Sequence, residues 1–414
     1  MARQEIITGI DVGSSMIRVA VGTRQAESDK LHILGVGEHS SEGISKGVIN
    51  SIEDAVSGIS GALEAAERMT GIPIEHAFVG ITGAHVLSQD STGVVAVSKA
   101  DGEIRDDDIE RVLQAAQSVN LPQNYELLHV IPRHFSVDDQ KNIKDPVGMS
   151  GIRLEVDAQI IMGQTAQIKN LTTSIYRTSV DIDDLVLGIL ACAESILTKR
   201  QKELGVALVN MGAATTSMIV FEEGDVVHTK VLPVGSGHVT NDVAIGLRTS
   251  IDVAEKIKLE YGTCLPGDVN PRDEIYLDQI EPSESGAISK KHIAEIIAAR
   301  IEEIFKMVDH ELQLIGRSGL LPAGVVLTGG GAKLPGMVPL AKDTFKLPAQ
   351  LGYPKELVTA IERINDPAFA TAVGLVLWGA ELPSGGGHGS SLKSFSTVNQ
   401  VTQRMKGWIK NFLP

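Results

Sequence analysis

The feature that most constrains the fold is a strand–turn–strand pattern that occurs twice, with glycine and hydroxyl residues in its turn. The first copy has an apolar strand over 6–12, a turn over 13–15 and a second strand from residue 17. The second copy begins at residue 205 with the same layout. Each copy predicts a β-hairpin. Their recurrence roughly 200 residues apart indicates two similar domains that face a cleft.

Backbone N–H groups in such turns converge on one point and can hold phosphate oxygens, and glycine lets the backbone approach closely. One glycine–serine turn is weak evidence, but two in equivalent contexts can grip a polyphosphate from opposite sides. A third segment, an apolar strand over 324–328, runs into Gly329, Gly330 and Gly331, where a base can lie flat on the backbone. The three segments together predict a nucleotide site.

Asp11 ends the first predicted strand and can hold a hydrated Mg²⁺ near the phosphates, because this ion keeps several waters and needs few carboxylates. The alternative for Asp11 is an Asx-turn residue, whose side chain bonds its own turn.

The composition excludes several other classes of protein. The 414 residues carry a formal net charge of −15 and only 4% aromatic residues, so a nucleic-acid partner is not expected. Two cysteines that are distant in sequence predict neither a disulfide framework nor a zinc site, and they favour a reducing cytosol. A charged N-terminus that enters a strand directly predicts no secretory signal, and no apolar run is long enough for a membrane span.

Periodicity adds further elements. Apolar spacing predicts helices over 53–69, 109–119, 252–261 and 290–314, and strands over 127–132 and 152–156.

The last 33 residues differ in composition from the rest. Residues 383–391 read Pro-Ser-Gly-Gly-Gly-His-Gly-Ser-Ser, which is typical of a flexible linker. Beyond it, Met405, Trp408, Ile409 and Phe412 follow helical spacing on one face, while Arg404, Lys406 and Lys410 lie elsewhere on the helix. This pattern predicts an amphipathic helix that binds an anionic membrane surface. The alternative, a terminal helix packed on the protein's own core, is disfavoured by the linker.

Five motifs carry a resemblance to a known family: Ser-Lys-Gly-Val-Ile-Asn at 45–50, His-Val-Ile-Pro at 129–132, Pro-Val-Gly-Met-Ser-Gly at 146–151, Leu-Pro-Val-Gly at 232–235 and Thr-Gly-Gly-Gly-Ala at 328–332. With the two hairpins, they resemble the FtsA family of bacterial cell-division proteins, within the actin, Hsp70 and sugar-kinase ATP-binding superfamily. The resemblance runs from about residue 7 to residue 378.

The resemblance implies an α/β, actin-like two-domain fold with a family-specific inserted subdomain and a C-terminal amphipathic helix on a flexible linker. The implied boundaries are 1–83, 164–197 and about 360–382 for subdomain 1A; 84–163 for the inserted subdomain 1C; 198–241 and 316–359 for 2A; 242–315 for 2B; 383–397 for the linker; and 398–414 for the membrane helix.

The resemblance also assigns roles to residues. The nucleotide-binding set that it implies is Asp11, Gly13, Ser14, Ser15, Gly212, Ala213, Thr215, Gly235, Glu255, Lys258, Gly329, Gly330 and Gly331. Glu255 and Lys258 would reach the ribose or base, although at i,i+3 spacing they could instead form a surface ion pair. Arg300 stands where the family has subunit contacts, with an ordinary surface arginine as the alternative.

The second hairpin departs from the family pattern. Asn210 stands where the family has an aspartate, Ala213 and Ala214 where it has more glycine, and Ser217 where it has another aspartate. An amide cannot act as a general base and binds hydrated Mg²⁺ more weakly than a carboxylate. Very slow or absent ATP turnover is therefore expected.

The function implied is an ATP- and Mg²⁺-binding protein that polymerises on the cytoplasmic face of the inner membrane at the septum. It would anchor the FtsZ ring through the C-terminal peptide of FtsZ and recruit other divisome proteins. Two alternatives remain: an adaptor of type IV pilus assembly similar to PilM, and an enzyme of the sugar-kinase type, which the lost carboxylates and the tail disfavour.

Overall fold

The computed structural model describes residues 5–24, 30–98, 101–118, 121–282, 284–355 and 357–381. The predicted linker and amphipathic helix, with Arg404, Met405, Lys406, Trp408, Ile409, Lys410 and Phe412, lie outside the described residues. None of the helices that the structure describes is long and apolar enough to cross a membrane.

The strands are β1 (Ile6–Val12), β2 (Met16–Arg24), β3 (Leu31–Ser40), β4 (Ile44–Ser45), β5 (Val48–Ile49), β6 (His76–Ile81), β7 (Val86–Ala96), β8 (Tyr125–Val137), β9 (Gln140–Ile143), β10 (Arg153–Gln164), β11 (Asp181–Leu187), β12 (Val206–Met211), β13 (Thr216–Glu222), β14 (Asp225–Leu232), β15 (Glu274–Tyr276), β16 (Ala287–Ser289), β17 (Val325–Thr328), β18 (Ala349–Leu351) and β19 (Leu357–Val358). The helices are α1 (Ile52–Thr70), α2 (Asp106–Gln117), α3 (Thr165–Tyr176), α4 (Gly188–Ile196), α5 (Lys199–Leu204), α6 (Ser236–Leu247), α7 (Ile251–Tyr261), α8 (Lys290–Leu314), α9 (Met337–Phe345) and α10 (Ala370–Glu381), and short 3₁₀ turns lie at Pro266–Asp268, Leu277–Gln279, Gly330–Lys333, Glu362–Asn365 and Pro367–Phe369.

The first lobe is built on a six-stranded sheet in the order β11-β6-β1-β2-β3-β19. β1 pairs antiparallel with β2, as the hairpin prediction requires, and parallel with β6. α1 covers this sheet with a small-residue and aliphatic stripe that includes Ala55, Ile59 and Ala62. The helix begins at Ser51, whose side chain accepts a hydrogen bond from the Asp54 amide, and ends at Gly71 in the left-handed conformation.

The second lobe repeats this plan. Its sheet has the order β14-β13-β12-β17-β18, and β12 pairs antiparallel with β13 and parallel with β17, just as β1 pairs with β2 and β6. Both predicted hairpins are therefore confirmed, and each has its turn at the same end of a parallel strand pair. α8, predicted over 290–314, begins and ends at those residues and buries Ile293, Ile297 and Ile301 in the core of this lobe.

α4 and α10 lie between the two sheets. One cluster of buried residues joins Ala20 and Val36 of the first sheet, α4 and α10, and Leu208 and Ile219 of the second. The helices approach closely at Gly374, where a Cβ atom would lie 1.8 Å from the Ala191 carbonyl oxygen. This shared core joins the two sheets that carry the hairpins.

An inserted subdomain interrupts the first lobe between β6 and α3. Its sheet has the order β7-β10-β8-β9, and α2 packs on one face. Strands β8 and β10 are 13 and 12 residues long, much longer than the predicted 127–132 and 152–156. The prediction stopped early because polar residues such as His134 and Gln159 break the apolar pattern, although Gln159 is buried at 2% exposure.

Candidate functional site

The first hairpin turn is anchored by hydrogen bonds at its two serines. The Ser14 Oγ atom accepts a hydrogen bond of 3.1 Å from the Gly47 amide, and the Ser15 carbonyl accepts one of 2.9 Å from the Ser41 amide. The amides of Ser14 and Ser15 themselves donate to no other described residue. Adjacent free N–H groups in a turn can form a concave anion site, so the Ser14 and Ser15 amides are available to a phosphate. Phosphate contact by Gly13, Ser14 and Ser15 stays a prediction.

The second turn is fixed to the start of α6. The Gly212 amide donates to the Thr215 carbonyl at 2.8 Å, while the carbonyls of Gly212 and Ala213 accept from the amides of Ser236 (2.9 Å) and Gly237 (2.7 Å). With the carbonyls turned toward α6, the Ala213 and Ala214 amides donate to none of the described residues. The turn thus has free N–H groups of the kind found in the first turn.

The Leu-Pro-Val-Gly motif ends in Gly235, at a position where a side chain does not fit. A Cβ atom at this position would lie 2.5 Å from the Gly212 carbonyl oxygen and 2.8 Å from that of Ala213, so a larger residue would push the turn away from α6. Gly235 therefore holds the second turn against α6, beside Gly212 and Ala213, and its predicted contact with nucleotide stays a prediction.

The Gly329–Gly331 loop closes against the same place. Gly329 has a φ of 87°, and a Cβ atom there would lie 2.3 Å from Asn210 Oδ1. A Cβ atom at Gly331 would lie 2.9 Å from Ser236 Cβ. Three separate segments, at the ends of β12 and β17 and at the start of α6, consequently meet in one site. At Gly330 an added Cβ atom would meet Ala368 Cβ at 3.9 Å, which is an ordinary contact.

Glu255 and Lys258 form an ion pair of 2.6 Å on α7, but Lys258 is buried at 5% exposure rather than lying on the surface. Its Nζ atom also donates to Thr240 Oγ1 at 2.8 Å and to the Ser236 carbonyl at 3.4 Å. These contacts join α7 to the start of α6, beside the second turn. Ser236 and Thr240 were missed from the sequence, because a hydroxyl near a helix start gives no signal of its own.

Asp11 lies at the end of β1, opposite Arg18 of β2. Burial raises the pKa of its carboxyl group to about 6, and the nearby Arg18 guanidinium lowers it only in part. The carboxylate accepts no hydrogen bond from the described residues, so the Asx-turn alternative is not realised. A desolvated carboxylate beside a phosphate-type turn fits a cation, and a hydrated Mg²⁺ is the ion whose ligand needs it would meet. No group of three metal-ligating side chains was found in the described residues.

Asn210 faces the floor of the cleft. Its Nδ2 atom donates to Thr371 Oγ1 at 3.3 Å, and Thr371 stands in the first turn of α10. Ser217, the cross-strand partner of Asn210, is 2% exposed. Asp11 and Thr371 also lie near buried Cys192, whose pKa is raised by burial and by the Asp11 charge. Thr371 was missed because only the packing of α10 brings it to the site.

Arg300 lies on α8 and contacts α6 through Asp242. Its guanidinium group donates to Asp242 at 2.5 and 3.0 Å and to Glu303 at 2.7 Å, and its side chain is 26% exposed. A role as a subunit contact stays a prediction, and such a contact would have to form around these two ion pairs.

The models of two known families match parts of this chain. The model of the family described as cell division protein FtsA matches residues 207–374, and that of an SHS2 domain inserted in FtsA matches residues 83–162. The chain is 37% identical over 410 residues to cell division protein FtsA of Pseudomonas aeruginosa, covering 98% of each chain. It is 38% identical over 377 residues to that of Bacillus subtilis, covering 91% of this chain and 84% of the other.

Solved structures show the same architecture at low identity. A PilM–PilN type IV pilus biogenesis complex superposes with a TM-score of 0.68 at 15% identity, covering 92% of this chain and all of the other. MreB5 of Spiroplasma citri bound to ADP superposes with a TM-score of 0.52 at 12% identity, covering 90% and 96%. At these identities the similarity establishes an actin-like fold and nothing finer.

Proposed function

The chain belongs to the FtsA family of cell division proteins, and from this premise we propose that it binds ATP in the cleft between its two lobes. The observation that carries the proposal is the meeting of the second turn, the start of α6 and the Gly329–Gly331 loop at glycines that admit no Cβ atom. The paired turns would hold the phosphates through free amides, and the Gly329–Gly331 loop would lie under the adenosine. The solved MreB5 structure with the same fold contains ADP, which supports this assignment.

Asp11 would hold Mg²⁺ through bound water, and the ion would neutralise phosphate charge. Glu255 and Lys258 would lie toward the ribose or base, because their network ends at Ser236 beside the second turn. This chain's own residues would bind and orient the nucleotide. Asn210 and Ser217 supply no general base, so turnover would be very slow or absent.

We further propose that the protein assembles into filaments on the cytoplasmic membrane face at the division septum. There it would tether the FtsZ ring through the FtsZ C-terminal peptide and recruit later divisome proteins. Family membership supports this role, and the composition of residues 383–414 supports a membrane contact. The pilus-adaptor alternative is disfavoured, because the PilM similarity is 15% identical whereas the FtsA relatives reach 38%.

Gly235→Ala is the variant that tests nucleotide binding. The added methyl group would meet two carbonyl oxygens of the second turn at 2.5 and 2.8 Å, which displaces the amides that would hold phosphate. We expect MgATP affinity, measured by isothermal titration of the full chain, to fall at least about tenfold, equivalent to about 1.4 kcal/mol.

Gly267→Ala is the matched control, since a Cβ atom at Gly267 meets nothing within 4 Å. It should bind MgATP as the unchanged protein does. Absence of MgATP binding to the unchanged protein at millimolar concentration would refute the proposed function.

A further inference from the structure

Strand β8 of the inserted subdomain contacts both lobes within five residues, the His129–Pro132 motif and Arg133. Near its start, β8 contacts the first lobe, from which the chain enters the inserted subdomain and to which it returns. Four residues later, β8 contacts the second lobe, although no segment of chain runs directly from the inserted subdomain to that lobe. The nucleotide site does not account for either contact.

The contact with the first lobe is made by His129. Its Nε2 atom accepts a hydrogen bond of 2.9 Å from the Leu187 amide, at the junction of β11 and α4. Its ring lies edge-on to that of Trp378 on α10, with the centroids 5.9 Å apart. Burial lowers the pKa of His129 to about 4, so the ring is a neutral acceptor at pH 7. This end of β8 is therefore fixed to the floor of the cleft.

The contact with the second lobe is made where two β-bulges face each other. In β8 the register with β10 passes from Pro132 to His134, which leaves Arg133 outside the ladder. In β14 the register with β13 passes from Val226 to His228, which leaves Val227 outside the ladder. A bulge re-aims a side chain and frees backbone groups. Pro132, which lacks a backbone N–H group, suits such a break.

Arg133 joins the two bulges. Its Nε atom donates to the Val226 carbonyl at 2.9 Å, and its Nη2 atom donates to the Val227 carbonyl at 2.7 Å and to an Asp90 carboxylate oxygen at 2.8 Å. Asp90 belongs to the inserted subdomain, so it holds the guanidinium group in place. Charge-assisted hydrogen bonds of this kind are about twice as strong as neutral ones.

The surrounding surface is closely packed. Ser88 Oγ donates to the Thr229 carbonyl at 3.0 Å, and Thr229 Oγ1 donates to Gln159 Oε1 at 3.0 Å with both side chains buried. Ile131 and Ile161, at 1% and 0% exposure, belong to the same core cluster as Val226. An interface with buried apolar contacts resists relative motion of the parts it joins.

We propose that strand β8 is a tie between the lobes, and that Arg133 limits opening of the cleft and thereby slows nucleotide release. Four residues of extended strand span only about 13 Å, so the lobes cannot separate while both ends stay fixed. Arg133 acts as a positioning residue. The consequence for nucleotide release rests on the proposed function, whereas the limit on lobe motion does not.

The lobe motion is tested without nucleotide. The two native cysteines are buried, so spin labels can be placed selectively at Glu42→Cys in the first lobe and Asp343→Cys in the second, both exposed positions. In the full chain, Arg133→Ala should broaden and lengthen the label–label distance distribution measured by pulsed electron paramagnetic resonance. Arg153→Ala is the matched control, since Arg153 is an exposed arginine of the same sheet and pairs with Glu155.

Nucleotide release is measured by stopped-flow displacement of a fluorescent ATP analogue. Arg133→Ala should release it at least about tenfold faster, because the closed state loses both charge-assisted hydrogen bonds from Arg133 to the second lobe. Ser88→Ala, which removes one hydrogen bond from the same interface, should give a smaller increase and serves if Arg133→Ala fails to fold. Arg153→Ala should change neither rate nor distances.

Unchanged distances in both Arg133→Ala and Ser88→Ala would overturn the tie. Wider label–label distances with an unchanged release rate of the ATP analogue would overturn the link between the tie and nucleotide release. A protein that binds no nucleotide but shows the wider distances would refute the proposed function and leave the tie standing.

Discussion

Asn210 occupies the position in β12 that corresponds to Asp11 in β1, since each is the residue before last in a strand that pairs with both a hairpin partner and a parallel neighbour. The amide donates to Thr371, and its Oδ1 atom is next to Gly329. Chemically, the two lobes therefore face the cleft with one carboxylate and one amide. An amide has no negative charge to attract a metal ion, and it is not basic enough to remove a proton from water.

Asn210→Asp should raise ATP turnover. The carboxylate can accept a hydrogen bond from the Thr371 hydroxyl, so the geometry at the floor of the cleft is preserved while a base is supplied. We expect phosphate release to increase at least about tenfold over the unchanged protein, as is typical for a positioned base. Asn210→Ser is the control and should stay slow. Unchanged turnover in Asn210→Asp, or turnover of the unchanged protein at about 1 per second or faster, would show that the missing carboxylate is not limiting.

His85 is 6% exposed, and neither of its ring nitrogens has a hydrogen-bond partner in the described residues. It lines a small pocket with Val12, Gly47, Thr82 and Gln167, behind the first hairpin turn. Burial lowers the pKa of His85 to about 4, because the charged ring would lose its hydration there. Since the unfolded chain takes up the proton near pH 6.5, stability is full above that pH and falls as the pH decreases toward 4.

His85→Leu should reduce the acid sensitivity of folding. Between pH 7 and pH 5 the buried histidine costs the unchanged protein about 2 kcal/mol of unfolding free energy, and leucine removes that loss. At pH 7 the variant should be as stable or slightly more stable, because an unpartnered polar group is replaced by an apolar one. Urea unfolding at the two pH values measures both effects. His292→Leu, at an exposed position of α8, is the control, and an equal pH loss in His85→Leu and the unchanged protein would contradict the argument.

The hairpins and α8 could be predicted from sequence because their signals are local. A turn glycine between apolar strands predicts a hairpin, and a stripe such as Ile293, Ile297 and Ile301 predicts a helix, because the residues that define each element are close in sequence. The burial of Lys258 could not be predicted, since it depends on Ser236 and Thr240 of another helix.

The bulges of β8 and β14 show the same limit among strands. A bulge is defined by the register of a strand against its partner. The β8 bulge is defined against β10, which follows after an intervening strand, and the β14 bulge is defined against the adjacent strand β13, so neither bulge is marked in the apolar pattern of its own strand. The sequence identified the His-Val-Ile-Pro motif, but only the sheet shows that it places Arg133 against the second lobe.

Charge is distributed unevenly along the chain. From residue 382 to the C-terminus there are four basic residues and no acidic one, so the rest of the molecule carries about −19. An anionic bilayer would repel such a body. Each basic residue near the surface contributes roughly 1 kcal/mol of attraction, but screening by salt limits this attraction to a short distance. Apolar side chains such as Trp408 and Phe412 would supply the salt-insensitive part of binding.

Removal of residues 383–414 should therefore abolish co-sedimentation with vesicles that contain anionic lipid. The full chain should pellet with them, and should pellet less at 0.5 M salt because screening weakens the basic contribution but not the apolar one. Trp408→Ala in the full chain should reduce pelleting at both salt concentrations, whereas Lys406→Gln should reduce it mainly at low salt. Trp378 is buried, so a blue shift of fluorescence on vesicle addition reports Trp408. Equal pelleting of the full and truncated chains would place the membrane contact on the acidic body, where these charges oppose it.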